Sequence, residues 1–236
     1  MKTTLRNWQT LRKDHNTLIL QASSIPPLSD QWMRDQWMPF PIGMGYKWGH
    51  YANNECQLGS HDQLVMCSIH PHTDRARRPH APNRNSILTT LGKNGIKNRV
   101  LNHTEITQVS LDAAVYFTSL PTFKFVISPE GNGIDCHRHY EALIAGVIPV
   151  MERNPLAERK YEGLPIVWTS TYEEVTPAYL TSLYNTMLDM QYDFSPLFLA
   201  HYPEHTRDIL ASSKYWLTRL NVDKLPAYSS YLQYHS

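Results

Sequence analysis

Phe123-Lys124-Phe125-Val126-Ile127-Ser128-Pro129-Glu130-Gly131-Asn132-Gly133-Ile134-Asp135 decides the reading of this chain. The first half is rich in aromatic and β-branched residues and reads as a buried strand. Pro129 and two glycines then break the pattern, and Asp135 to Ala145 reads as a helix. Glycines let the backbone turn tightly, and a helix N-terminus offers unpaired N–H groups and the positive end of a dipole. Such a turn suits a phosphate or diphosphate. Arg138, one turn into the helix, is placed to add a bidentate contact, and Glu141 lies three residues further along the same face. The Glu141 carboxylate suits the two vicinal hydroxyls of a ribose. The same residues also fit a glycine-rich turn with an end cap at Asp135 and solvated charges beyond it, and spacing alone leaves both readings open. A dinucleotide fingerprint needs a third glycine where Cys136 stands, so nicotinamide cofactors are disfavoured.

Working outward, Leu64 to Ile69 is a second apolar strand, and Asn83 to Leu91 a helix with Gly92 and Gly95 as stop signals. Arg99-Val100-Leu101 is a further strand candidate. Ser110 to Leu120 reads as a helix with Leu111, Ala114, Val115 and Thr118 on one face, ended by Pro121. Val147 to Met151 and Leu164 to Thr169 read as strands, Tyr172 to Met190 and Glu204 to Leu220 as helices. Strands alternating with helices imply βαβ units: an α/β fold with a parallel sheet covered on both faces. Ligands in such sheets bind beyond the carboxyl ends of the strands. The loops after Ile69, Ser128 and Met151 are therefore where chemistry is expected.

The first 60 residues have another texture, with Trp8, Trp32, Trp37 and Trp48, Pro26-Pro27, and Gly43, Gly45 and Gly49. Thr17 to Leu20 and Met38 to Ile42 are short strand candidates there, with a helix candidate from Ser29 to Trp37. Trp32, Trp37, Tyr46 and Trp48 suit either sugar stacking or a small aromatic core.

Lys and Arg number 22 against 21 Asp and Glu, a net charge of +1 over 236 residues. A protein that grips nucleic-acid phosphates carries a larger basic excess, so no nucleic-acid partner is expected. No run approaches the ~20 apolar residues of a membrane span. Leu18-Ile19-Leu20 is too short for the ~7–15-residue core of a signal peptide. Cys56, Cys67 and Cys136 form neither a CxxC pair nor a disulfide framework. The chain reads as a soluble protein of a reducing compartment.

Ser68-Ile69-His70-Pro71-His72-Thr73-Asp74-Arg75-Ala76-Arg77-Arg78 follows the Leu64–Ile69 strand. A His-x-His pair at a strand end is the metal signature of amidohydrolase-like barrels, which makes a metal-dependent hydrolase on His70 and His72 one reading. Such a barrel takes ~250 residues, and fewer remain after Ile69. Loop histidines without metal are the simpler account.

The run Phe125 to Leu143, containing Gly131-Asn132-Gly133-Ile134-Asp135-Cys136-His137-Arg138 and Glu141-Ala142-Leu143, resembles the donor-binding motif of exostosin-like glycosyltransferases. The likeness continues through Gly146-Val147-Ile148-Pro149-Val150, Tyr161 to Val167 and Tyr172 to Thr176. Pro39-Phe40-Pro41-Ile42-Gly43-Met44 is similar to the segment that precedes the family's donor domain. The good match covers residues 120–176, and a looser one reaches back to residue 37. Many relatives carry arginine where Glu130 stands.

The resemblance implies a GT-B arrangement: a Rossmann-like donor domain and a reduced N-terminal acceptor domain. The expected division is 1–60 for the acceptor side, 61–203 for the nucleotide-sugar domain, and 204–236 for a C-terminal helix packing back on the N-terminal part. It implies a donor set of Ser128, Glu130, Gly131, Asn132, Gly133, Asp135, Arg138 and Glu141, and no metal, because protein groups and a helix end neutralise the diphosphate. The expected donor is a UDP-sugar, UDP-xylose first, and the partner a glycan or glycoprotein acceptor. Eukaryotic members sit in the Golgi lumen behind a membrane anchor, and large algal viruses encode soluble forms; a cytoplasmic or host-cell soluble location is expected, with the Golgi lumen as the alternative if a membrane anchor was trimmed. On this reading Asp74, His70 and His72 are the candidates for the base that takes the acceptor proton. Arg75, Arg78 and Arg84 would counter charge on the leaving diphosphate. Asp30 and Asp35 are further base candidates. A third reading is a non-catalytic nucleotide- or sugar-binding module.

Overall fold

The computed structural model describes residues 19–21, 37–39, 42–45, 61–74, 82–96, 113–131 and 133–211. They fall into two compact units, one within 42–197 and the other within 1–41 and 198–236. In the latter, β1 (Ile19–Gln21) and β2 (Trp37–Pro39) pair in parallel, with Ile19 opposite Trp37. Trp37, expected to close a helix, lies in this strand. The rest of that helix and the Arg99–Leu101 strand fall outside the described residues.

The unit within 42–197 is a four-stranded parallel sheet of β3 (Gln63–Met66), β4 (Phe123–Ile127), β5 (Ile148–Glu152) and β6 (Val167–Thr169), side by side in chain order. Val65 lies opposite Phe125, Phe125 opposite Ile148, and Val150 opposite Val167. Its helices are α1 (Arg84–Lys93), α2 (Ala113–Ser119), α3 (His137–Ile144), α4 (Pro155–Lys160) and α5 (Pro177–Leu188). On one face of the sheet Phe125, Ile127, Ile148, Val150 and Val167 pack with Ile87 and Leu91 of α1 and Leu180, Tyr184 and Met187 of α5. Alternation along each strand turns Val126 to the opposite face, where it meets Tyr116 and Phe117 of α2 and Ala142 and Ile144 of α3. Met151 packs there with Tyr140 and Leu143 of α3 and Ala157 and Tyr161. With both faces covered, the strands read as mostly apolar runs, with the half-buried Lys124 the one charge inside β4. The expected α/β class and parallel sheet are found.

Local chemistry sets the helix ends. Asn83 caps α1, its side chain accepting from Ser86 N at 2.8 Å. At the other end Ile96 N reaches Leu91 O at 2.9 Å and Gly95 N reaches Gly92 O at 3.2 Å, with Gly95 at φ 84°. That closing pattern needs a left-handed residue. Gly92 lies inside the helix, so only the second of the two expected stop glycines ends it. Gly146, at φ 72°, closes α3 in the same way.

Three element readings need correction. The Tyr172–Met190 helix starts only at Pro177, with Thr176 as its cap. Proline is favoured at the first helical position and disfavours helix in the residue before it. Tyr172 to Val175 is instead a turn, whose carbonyls at Tyr172 and Val175 accept from Asn94 Nδ2 at 2.9 Å each. In α2 the buried side chains are Tyr116 and Phe117, while Val115 and Thr118 face solvent. The aromatic rings remove more apolar area from water than Val115 and Thr118 would, and so set the rotation of the helix. The helix expected from Asp135 begins at His137, and α4 was not expected at all. α6 (Glu204–Ala211) matches the start of the Glu204–Leu220 helix, and the remainder lies outside the described residues. No helix among the described residues is long and apolar enough to cross a membrane.

Candidate functional site

The carboxyl ends of β3, β4 and β5 carry the described loop residues 67–74, 128–131 with 133–136, and 153–154. Arg84, the first residue of α1 and 6% exposed, ties two of them together. Its Nε donates to Glu130 O at 3.0 Å and its Nη2 to Pro129 O at 3.1 Å. Its Nη1 donates to Thr73 Oγ1 at 2.5 Å, and its backbone N–H donates to Asp74 Oδ2 at 2.6 Å. Gly131 approaches so closely that a Cβ there would sit 3.1 Å from Arg84 Nη2 and 3.4 Å from Thr73 O. A side chain there would press on the Arg84 guanidinium, so the glycine serves this close approach and not a positive φ.

Beneath the glycine-rich turn the polar groups point inward. Ser128 Oγ shares a 2.7 Å hydrogen bond with His139 Nδ1, and Cys136 Sγ lies 3.2 Å from His139 Nε2. Burial pushes the His139 imidazole down to about 4, with Asp135 opposing the shift, so it is neutral near pH 7. Burial pushes the Cys136 thiol up to about 11. The Glu130 backbone N–H donates to Glu152 Oε2 at 2.9 Å, and Asn154 Nδ2 donates to Glu130 Oε1 at 3.4 Å. Cys136 caps α3 without a side-chain hydrogen bond.

Asp135 also faces inward. Its Oδ2 accepts from Ile42 N at 3.1 Å, Tyr140 Oη at 2.9 Å and Lys160 Nζ at 2.5 Å, and its Oδ1 accepts from Tyr161 Oη. Burial lowers the Lys160 ammonium while Asp135 pulls it back up. Glu141, 7% exposed, accepts from Gly45 N at 3.1 Å, and His137 Nδ1 donates to Gly43 O at 2.6 Å. Residues 42–45 thus run along α3. Burial raises the Glu141 carboxyl, opposed by the Gly45 N–H and by Arg138. The Arg138 guanidinium lies 5.9 Å from the centre of the Tyr116 ring, and its Nε has no hydrogen-bond partner.

On the β3 loop, His72 N donates to His70 Nδ1 at 3.3 Å and the two rings meet edge to face at 5.8 Å. Among the described residues no three His, Cys, Asp or Glu side chains come together as a metal site. The structure therefore gathers Asp74, Glu130 and Gly131 around Arg84, and sets Ser128 and Asp135 in the layer below. Arg75, Arg78, Asn132, Asp30, Asp35, Trp32, Tyr46 and Trp48 lie outside the described residues. Sequence reading missed Glu152, Asn154, Lys160 and His139. For Glu152 and Asn154 a signal existed, since polar residues closing a fully apolar strand are set at a ligand-binding edge. No protein-family model matches the chain, and no curated protein matches it.

Proposed function

We propose that this chain is an exostosin-like glycosyltransferase that moves a sugar from a nucleotide diphosphate sugar to a glycan hydroxyl. The observation that carries the reading is the turn from Gly131 to Cys136, which leaves the carboxyl end of a central parallel strand and enters α3 at a cap with no side-chain hydrogen bond. Main-chain N–H groups at such an end suit a diphosphate. Asp74 on the neighbouring loop, held through Arg84, supplies a carboxylate beside it. The family resemblance of residues 125–143 adds the substrate class and a GT-B arrangement with a reduced acceptor side.

On this reading the acceptor hydroxyl attacks the anomeric carbon and a new C–O bond forms. The bond from that carbon to the diphosphate oxygen breaks, and its electron pair leaves with the nucleoside diphosphate. The acceptor proton passes to Asp74. Protein groups carry the diphosphate charge, so no resident metal is required, and a UDP-sugar, UDP-xylose first, is the expected donor.

Titration calorimetry with UDP in the presence of a chelator, followed by a hydrolysis screen of nucleotide sugars, tests this. Binding that survives chelation together with donor turnover is expected. Binding without hydrolysis or transfer would make the chain a nucleotide-binding module, and binding lost on chelation would overturn the metal-free reading.

A further inference from the structure

We propose that Arg84 is a positioning residue that couples the Asp74 loop to the glycine-rich loop, so that occupancy of one is felt at the other. Its planar fork is split between them. Nε and Nη2 hold the carbonyl oxygens of Glu130 and Pro129, while Nη1 holds Thr73 Oγ1. The backbone N–H of the same residue holds Asp74 Oδ2. That N–H opens α1 and has no acceptor within the helix, so the carboxylate completes the helix start as well.

The anchor is rigid. Asn83 caps the helix at the residue before, and Ile87 and Leu91 bury the next two turns in the core. A shift of the 129–131 backbone therefore moves the guanidinium against a fixed Cα, and Thr73, which the guanidinium holds, is the group that feels it and passes it to its chain neighbour Asp74. A lysine keeps the charge but presents no planar fork able to reach acceptors on both loops. The coupling stands on these contacts alone. Only the identity of the occupant rests on the glycosyltransferase reading.

Hydrogen exchange on the full chain tests the coupling without any ligand. Arg84→Lys is expected to speed exchange about tenfold or more in both 70–74 and 128–131, the scale of one lost charge-assisted hydrogen bond, with α3 and β5 still protected. Loosening of one loop alone, or of neither, overturns the proposal. Should Arg84→Lys fail to fold, Thr73→Ala removes one acceptor at an exposed position. It is expected to speed exchange at 129–131 across the guanidinium, and an effect confined to 70–74 overturns the proposal.

With UDP added, the wild type is expected to gain protection in both loops and Arg84→Lys only in 128–131. UDP protection confined to 128–131 in the wild type overturns the coupling. If UDP protects neither loop while Arg84→Lys loosens both, the coupling stands and the glycosyltransferase reading falls. Where donor turnover is measured, Arg84→Lys is expected to lower kcat about tenfold at nearly unchanged donor KM. That loss should disappear in an Asp74→Asn background, and an equal loss there shows that Arg84 does not act through Asp74.

Discussion

The backbone N–H of Gly45 donates to Oε1 of Glu141 at 3.1 Å, joining two positions 96 residues apart. A Cβ on Gly45 would lie 2.9 Å from that oxygen, so a side chain there would push the carboxylate aside. Glu141 therefore holds residues 42–45 against α3, and on the proposed reading it also meets the ribose.

Glu141→Ala separates these roles. Removing the acceptor strands the Gly45 N–H and is expected to cost ~1–3 kcal/mol of stability in urea melts. If the carboxylate also holds a ribose, UDP affinity drops by ~1.5–3 kcal/mol in the same variant. An unchanged dissociation constant leaves Glu141 with the 42–45 contact only. Glu141→Gln keeps an acceptor and removes the charge. Because burial raises the folded-state carboxyl, the wild type is favoured at low pH and loses that contribution as pH rises through the raised value. The Gln variant should therefore gain on the wild type as pH rises from the ordinary carboxyl range through the raised value.

His139 gives the opposite sign. Its folded value, near 4 against 6.5 for a free imidazole, means the unfolded chain binds a proton that the folded chain does not. The stability is complete above pH 6.5 and is lost as pH falls through about 4, by roughly 3 kcal/mol at most. Chemical denaturation across that range should show the slope in the wild type and a shallower one in His139→Gln. Equal slopes would mean that His139 is protonated in the folded protein.

The alternation of strands and helices is legible in the sequence because the sheet is covered on both faces, which makes β4, apart from Lys124, and β5, up to Glu152, apolar runs. The close of α1 is legible because Gly95 takes a positive φ that other residues resist. The direction of Asp135 is not legible. Its partners Ile42, Lys160 and Tyr161 stand 93, 25 and 26 positions away, and no local pattern brings them together. Arg84 reads as a cation for a leaving group because the sequence shows its charge but not that Nε and Nη2 bind the carbonyls of Glu130 and Pro129 and Nη1 the Thr73 hydroxyl. α4 escaped because Pro155-Leu156-Ala157-Glu158-Arg159-Lys160 is too short to display a helical period.

The Asp135–Lys160 pair yields a prediction about stability and not about affinity. Both side chains are nearly closed to water, at 1% and 7%. Asp135→Asn leaves the Lys160 ammonium without its counter-charge and is expected to cost ~3–5 kcal/mol. Lys160→Met should cost less, because Asp135 keeps the donors Ile42 N, Tyr140 Oη and Tyr161 Oη. UDP affinity of Lys160→Met should stay close to wild type, since the ammonium is committed to Asp135. The reverse order of stabilities in thermal melts would show that the charge pair is not what holds this layer.

Asp74 carries the chemical prediction. Its Oδ2 takes the first N–H of α1 at 2.6 Å, which fixes the carboxylate at the start of that helix while a carboxylate still has lone pairs to spare. Asp74→Asn retains an oxygen for that N–H, so the loop should keep its place and UDP its affinity. On the proposed reading the amide cannot take up the acceptor proton, and turnover should fall ~100-fold or more, the scale of general-base catalysis. His70 and His72 share a hydrogen bond within the same loop and stand three and one residues before Thr73, further along the chain from the Arg84 anchor, so His70→Ala with His72→Ala should cost less than Asp74→Asn. Single-turnover transfer with saturating UDP-sugar separates these outcomes from changes in binding. A normal rate in Asp74→Asn, with the double histidine variant inactive, would move the base to the histidine pair. A normal rate in both would move it to Asp30 or Asp35.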